Sequence, residues 1–393
     1  MPAAPEQFDL LAGDSALWPL IAAAVVTLAA IPLLRRVAVR LELYDRPDAG
    51  LKPHERPIPY LGGVAIYLGW LTAAVLYARH NGDGGCLVGW IGLGGTILML
   101  VGLIDDVRGL PPTLRLLVQV GVAGVLVYAG VGQALLPALL NPLHESLPGW
   151  LAQGVTSTAL SFALTAAVLV GVTNATNLID GLDGLCAGVV AIASCGFLAE
   201  AWLLGRANVI SGGGDTLIVM LCVGMLGGCL AFLVFNFNPA SMFMGDNGSL
   251  LLGFSVAVVV VLFAEHASWR GLLAALVCFG FPILDMLLAV GRRWRNGRPL
   301  FIGDRSHFYD QIRDRGLSVR QSVLVCYGLG LFFAVLGLLL TQLSGVWAAV
   351  LFTMIPFAGA LACWRGGMLR VDDAAERSDH DAGGREEDEA LGL

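Results

Sequence analysis

Residues 248–264 read GSLLLGFSVAVVVVLFA, an uncharged and almost wholly apolar run. A helix crossing a bilayer needs about 20 mostly apolar residues, and this stretch is close to that length. Similar runs recur at 16–34, 62–78, 88–104, 114–131, 156–173, 185–204, 216–235, 271–290, 323–341 and 346–363. Composition agrees, with 57% hydrophobic and only 13% charged residues and a mean hydropathy of +0.77. A soluble chain of this size would need roughly twice that charged fraction. The 51 glycines suit close helix packing in lipid, where small residues let backbones approach. The expected fold is an all-α integral membrane protein, a polytopic bundle of about 11 transmembrane helices over residues 1–365. Residues 366–393 form an acidic tail expected to be disordered and solvated.

Positive residues stay cytoplasmic in membrane proteins, so their distribution predicts orientation. With eleven spans, one side holds 20 of the 23 Lys and Arg, leaving only Arg79, Arg206 and Arg270 on the other. The N-terminus is therefore expected outside and the C-terminus in the cytoplasm. Acidic residues precede the first apolar run and Arg35 and Arg36 follow it, so it reads as a retained span. The eight cysteines show no CxxC pairing and fall mostly inside spans, as small apolar packing residues.

Five polar segments lie at the inner ends of the spans. The first contains Lys52 and His54 and runs into Gly62-Gly63, where basic side chains and glycine backbone could hold phosphate oxygens. A proline-broken positive-inside loop is its plainer reading. The second is the pair Asp105-Asp106, closing the third span. An acid at the lipid boundary is costly unless it reaches water or a partner. Neighbouring helical residues point about 100° apart, so the two carboxylates are expected to have separate roles; a helix-ending turn paired with Arg108 is the alternative.

The third segment, Asn174-Ala-Thr-Asn177-Leu-Ile-Asp180-Gly-Leu-Asp183-Gly184, spaces four polar residues by three and so places neighbours on one helical face. Oxygen-only donors suit a hard cation such as Mg²⁺, with Mn²⁺ also acceptable. The fourth, Asn236 to Ser249, contains Asp246 with no basic residue nearby, which calls for a cation or substrate group, or a helix cap. Phe243 in it could stack on a base or anchor the interface. The fifth, Gly291 to Arg315, is rich in arginine around Asp304-Arg305-Ser306-His307. Acids on three segments and cations on two describe one bipolar site, suited to a metal-bridged diphosphate.

In this order the segments resemble the polyprenyl-phosphate N-acetylhexosamine-1-phosphate transferase family over roughly residues 44–320. The resemblance is carried by Asp105-Asp106, by Asn174 and Asn177 with Asp180-Gly181 and Asp183-Gly184-Leu185, by Asn236 through Ser249, and by Pro282 with Asp285. It implies that a polyprenyl phosphate such as undecaprenyl phosphate attacks a UDP-N-acetylhexosamine and releases UMP at the cytoplasmic face of a bacterial inner membrane. It implies Asp246 and Asn177 as Mg²⁺ ligands, and Asp105 or Asp106 on the acceptor phosphate. Asp180, Asp183, Asn174 and Asn236 would serve the uridine or diphosphate with Phe243 beside the base, and Lys52, His54, Arg305 and His307 would bind phosphate or sugar oxygens. Membrane lipids and a second copy of the chain are the further partners expected; nucleic acid is not.

Two departures stand out. The family pattern continues after His307 with histidines, whereas Tyr309 and Asp310 follow here. That separates the chain from the muramoyl-pentapeptide branch and points to enzymes that start envelope polysaccharides. Arg115 stands where a lysine is usual after the acidic pair, which keeps the charge but changes its geometry. CDP-alcohol phosphatidyltransferases also use DG motifs, but Cys186-Ala187-Gly188 follows here and no further acid appears until Glu200. A nucleotide-sugar or lipid transporter would need polar groups at mid-membrane in repeat-related positions, and no internal repeat is visible.

Overall fold

The computed structural model describes residues 16–45, 57–80, 85–140, 154–207, 209–210, 214–297, 307–343 and part of 346–365. Lys52, His54, Arg305 and the acidic tail lie outside the described residues, as does most of the last expected span. The helices are α1 (Leu17–Arg40), α2 (Gly62–His80), α3 (Gly85–Arg108), α4 (Pro112–Ala129), α5 (Leu135–Leu140), α6 (Val155–Leu178), α7 (Leu185–Arg206), α8 (Gly214–Asn236), α9 (Asp246–Cys278), α10 (Gly280–Arg295), α11 (Phe308–Asp314) and α12 (Val319–Gln342). Two short strands, β1 (Tyr44–Asp45) and β2 (Ile58–Pro59), pair antiparallel.

Among the described residues nine helices are long and apolar enough to cross a membrane. The expected span at 271–290 is not straight. Trp269–Cys278 and Gly280–Arg295 meet at a 78° bend and make a tenth crossing only if taken together. The break falls at Phe279-Gly280, where the Gly280 backbone lies so close to the Phe333 ring that a Cβ would come within 2.5 Å of it. The chain has also doubled back before that point. A Cβ on Gly271 would lie 2.5 Å from the Phe263 carbonyl, whereas eight residues along a straight helix span about 12 Å.

The first leg of α9 is the hub of the bundle. Its residues 247–264 are all buried, against 22% of the apolar window of α1 and 28% of that of α4, and α9 as a whole packs against α2, α3, α5, α6, α7, α8 and α12. Its unbroken Val256–Ala264 run is therefore enclosed by protein on all sides, while α1 and α4 leave apolar side chains such as Leu33 and Leu117 for lipid. Local sequence sets several boundaries. Pro111 and Pro112 open α4 and Gly130, at φ 107°, closes it. Ser318 and Gln321 form a reciprocal capping box at the start of α12. The seven described cysteines are all free.

Candidate active site

The ends of α3, α6 and α8 and the starts of α7, α9 and α12 meet at one end of the bundle, and the acidic segments lie there. Glycine permits the closest approach. A Cβ on Gly102 would lie 2.5 Å from the backbone of Asn247, so α3 and α9 touch main chain to side.

The acidic pair divides its work as the helical geometry predicts. Asp105 Oδ1 accepts the Leu110 N–H at 2.5 Å and Oδ2 accepts Arg115 Nη1 at 2.5 Å. Arg115 Nη1 also donates to Asp246 Oδ2 at 2.8 Å, so Arg115, and not Arg108, ties the pair to α9. Asp106 faces the other way. Its Oδ1 accepts the Asp246 N–H at 2.8 Å; its Oδ2 accepts the Asn247 N–H at 3.2 Å and Asn247 Nδ2 at 2.6 Å. Asp106 thus supplies from another helix the cap that α9 lacks, since Gly245 at its N-cap position has no side chain. One of the two carboxylates was expected on the acceptor phosphate; both are engaged by protein.

Asp246 Oδ1 accepts Asn177 Nδ2 at 2.8 Å, and the same nitrogen lies 2.9 Å from Ser249 Oγ. Asp180 differs from its neighbours, because its carboxylate has no hydrogen bond among the described residues. Burial first, and then the negative charges of Asp246, Asp106 and Asp183, push its pKa well above the ordinary 3.8. An acid so placed ionises readily only beside a cation.

The remaining polar residues of this region build the loops. Asp183 Oδ2 accepts Asn238 Nδ2 and the Ala240 N–H, both at 2.9 Å. Buried Asn236 accepts from Gly184 N at 2.9 Å and donates to the Met242 carbonyl at 3.0 Å. Tyr327 of α12 donates to the Gly184 carbonyl at 2.6 Å. Asn174 lies one turn deeper, where it donates to Gln119 of α4 at 2.8 Å and to its own helix, away from the carboxylates. Phe243 is half-buried; its N–H bonds the Pro59 carbonyl at 2.9 Å and its carbonyl takes the Gly62 N–H at 3.0 Å, seating the first loop on the fourth segment. Tyr60 adds a bond from its hydroxyl to the Asp106 carbonyl at 3.0 Å.

His307 is 5% exposed, with Nδ1 2.7 Å from Asp285 Oδ2. Two structural participants carried weak sequence signals. Arg115 showed only as a departure in the family pattern, and Asn247 passed as one letter of a motif. Among the described residues no three His, Cys, Asp or Glu side chains are arranged to hold a metal ion. The donor set nevertheless fits a hard cation. Among the described residues neither the Asp180 carboxylate nor Asn177 Oδ1 makes a hydrogen bond, and Asp246 keeps a second lone pair on each oxygen. Mg²⁺ characteristically takes one or two carboxylates and fills its other positions with water and phosphate.

Residues 88–264 match the family described as glycosyl transferase family 4. The chain is 32% identical over 334 residues to a probable undecaprenyl-phosphate N-acetylglucosaminyl 1-phosphate transferase of Bacillus subtilis, covering 84% of this chain and 87% of that protein. It is 34% identical to a decaprenyl-phosphate N-acetylglucosaminephosphotransferase of Mycobacterium tuberculosis, covering 78% and 77%. A phospho-N-acetylmuramoyl-pentapeptide-transferase of Bacillus anthracis is 29% identical, over 81% and 92%. With a relative above 30% identity along most of both chains, and with the acidic pair, the DGxDG turn and the MGD segment gathered at one end of a membrane bundle, this chain belongs to glycosyl transferase family 4.

Proposed function

We propose that the protein transfers N-acetylhexosamine 1-phosphate from a UDP-sugar to a polyprenyl phosphate, with UDP-N-acetylglucosamine as donor and undecaprenyl phosphate as acceptor. An oxygen of the acceptor phosphate attacks the β-phosphorus of the donor. The bond from that phosphorus to the oxygen bridging the α-phosphate breaks, UMP leaves with the electron pair, and a polyprenyl-diphospho-sugar remains in the membrane. The observation that carries this reading is Asp180, without a hydrogen-bond partner among the described residues, beside Asp246 and Asn177, with Arg115 bridging Asp105 and Asp246. Such a cluster invites a divalent cation and a diphosphate at a helix-end boundary, where a lipid acceptor and a water-soluble donor can both reach it.

Asp180, Asp246 and Asn177 Oδ1 would hold Mg²⁺ or Mn²⁺, which when bound neutralises phosphoryl oxygens. Phosphoryl transfer depends mostly on positioning and charge neutralisation, and a phosphate monoester is already largely ionised near neutrality. The acceptor therefore needs no strong base, which suits an Asp105 that holds Arg115 and an Asp106 that holds the start of α9. Asp183 and Asn236 shape the turn around the donor, with Phe243 toward the uridine and Lys52, His54, Arg305 and His307 toward phosphate and sugar oxygens. The excess of Lys and Arg supports a cytoplasmic position for this end, in a bacterial inner membrane. Tyr309 and Asp310 in place of a histidine run weigh against a muramoyl-pentapeptide donor. The clustering of acids at helix ends weighs against a transporter.

The test is an exchange assay in detergent with undecaprenyl phosphate and a panel of UDP-sugars, with and without chelator. UMP release with UDP-N-acetylglucosamine, abolished by chelator, is the expected result. Binding of UDP-sugars without UMP release would overturn the proposal.

A further inference from the structure

His307 sits where α10 and α11 are brought together, and two side chains fix its ring from different directions. Asp285, on α10, meets its edge. Oδ2 lies 2.7 Å from His307 Nδ1, while Oδ1 accepts the Phe308 N–H at 2.7 Å. Asp285 is 3% exposed, so little water competes for these contacts. A carboxylate facing Nδ1 favours the tautomer with its proton there, leaving Nε2 as the nitrogen that can meet another group. Nε2 makes no hydrogen bond among the described residues, and it is not among the sealed, unpartnered polar atoms of the interior.

Tyr309 covers the face of the same ring. The two rings are 5.4 Å apart and 8° from parallel. Tyr309 is itself anchored across the site, its hydroxyl donating to the Leu178 carbonyl at 3.1 Å, two residues before Asp180. A Cβ on Gly181 would lie 2.1 Å from that hydroxyl, so the glycine of the DG turn is what admits the tyrosine. The resemblance implied a histidine at this position. A tyrosine there gives up a second imidazole and gains a hydroxyl that reaches the wall carrying Asp180.

We infer that Asp285 and Tyr309 are positioning residues that act through His307, Asp285 by setting its tautomer and Tyr309 by holding its ring against the Asp180 turn, so that Nε2 is presented to a substrate phosphoryl or sugar oxygen. This rests on the transfer reaction proposed above. A purely mechanical latch between α10, α11 and the turn would use the same contacts but would make no demand on the imidazole, and that difference is measurable.

The experiment is a pair of double-mutant cycles on the full-length protein in detergent. Asp285→Asn and Tyr309→Phe are each made alone and together with His307→Ala. An asparagine cannot accept from both His307 and Phe308, and a phenylalanine keeps the stacked ring but loses the bond to Leu178. Each cycle is read on kcat and KM for UMP release and on the donor concentration giving half-maximal thermal shift, so it stays readable where one variant stops turnover. Wild-type transfer with a fall in kcat of about 10–100-fold for Asp285→Asn and about 2–10-fold for Tyr309→Phe, both absent in the His307→Ala background, is the expected result. Equal fold losses with and without His307, or a His307→Ala protein as active as wild type, would overturn the inference while leaving the reaction standing. No UMP release from wild type would instead remove the reaction on which it rests.

Discussion

Replacing Asp106 with asparagine separates a carboxylate that builds the site from one that touches the acceptor. Its two oxygens take three donors, the N–H groups of Asp246 and Asn247 and the Asn247 side chain. An amide offers one acceptor oxygen, so one side of this arrangement must face an NH₂ group. The Asn247 side chain can turn over and present its Oδ1, which is buried without a partner in the wild type. That leaves one backbone N–H uncompensated, at about 1–3 kcal/mol, and removes a negative charge from a helix N-terminus, at roughly 0.3–1 kcal/mol. A total of about 1–4 kcal/mol, set against an unfolding entropy of roughly 0.8 kcal/mol/K for a chain of 393 residues, lowers the melting temperature by roughly 2–5 °C. Because Asp246 is displaced and not removed, UMP release should fall by about 10–100-fold, as for loss of a group supporting a ligand. Thermal unfolding in detergent and the exchange assay are run on the same preparations. An unchanged melting temperature together with complete loss of transfer would refute the capping role and return Asp106 to the substrate.

Three further outcomes follow from individual contacts. Asp180→Asn should abolish metal-dependent transfer, yet raise metal-free stability near neutral pH. The folded pKa of Asp180 is raised, so the wild type loses stability as pH climbs from its ordinary 3.8 toward the folded value; melting curves with pH and chelator should show a steeper loss in the wild type than in the variant. Gly102→Ala would drive a Cβ to 2.5 Å from Asn247 backbone atoms that cannot yield, which costs about 1–3 kcal/mol, and a variant with wild-type melting and activity would contradict the close approach of α3 and α9. Asn236→Ala leaves the Gly184 N–H and Met242 carbonyl without this partner in a buried site, a loss of about 2–6 kcal/mol at about 1–3 per group, read as a lower melting temperature.

Much of the fold was legible because a bilayer imposes one dominant rule, and runs such as 248–264 obey it visibly. Sequence could not show that α9 is enclosed by protein while α1 faces lipid, since both are equally apolar along their length. The bend at Phe279-Gly280 was hidden for a similar reason: it depends on Phe333 arriving from another helix. In the site, the separate directions of Asp105 and Asp106 followed from helical geometry, but their partners did not. Arg115 meets Asp246 across 131 residues of chain, and nothing local marks that pair. Likewise Asn174 shares the spacing of Asn177 but lies one turn deeper, where it meets Gln119 instead of the carboxylates.

A donor labelled at the β-phosphorus tests most directly whether it is cleaved between its two phosphates. UDP-N-acetylglucosamine carrying that label is incubated with the protein, undecaprenyl phosphate and Mg²⁺, and the lipid and aqueous products are separated. The label is expected to enter the lipid fraction with the sugar while unlabelled UMP appears in water. Label retained in aqueous UDP, with sugar alone on the lipid, would place the reaction at the anomeric carbon and contradict cleavage between the phosphates.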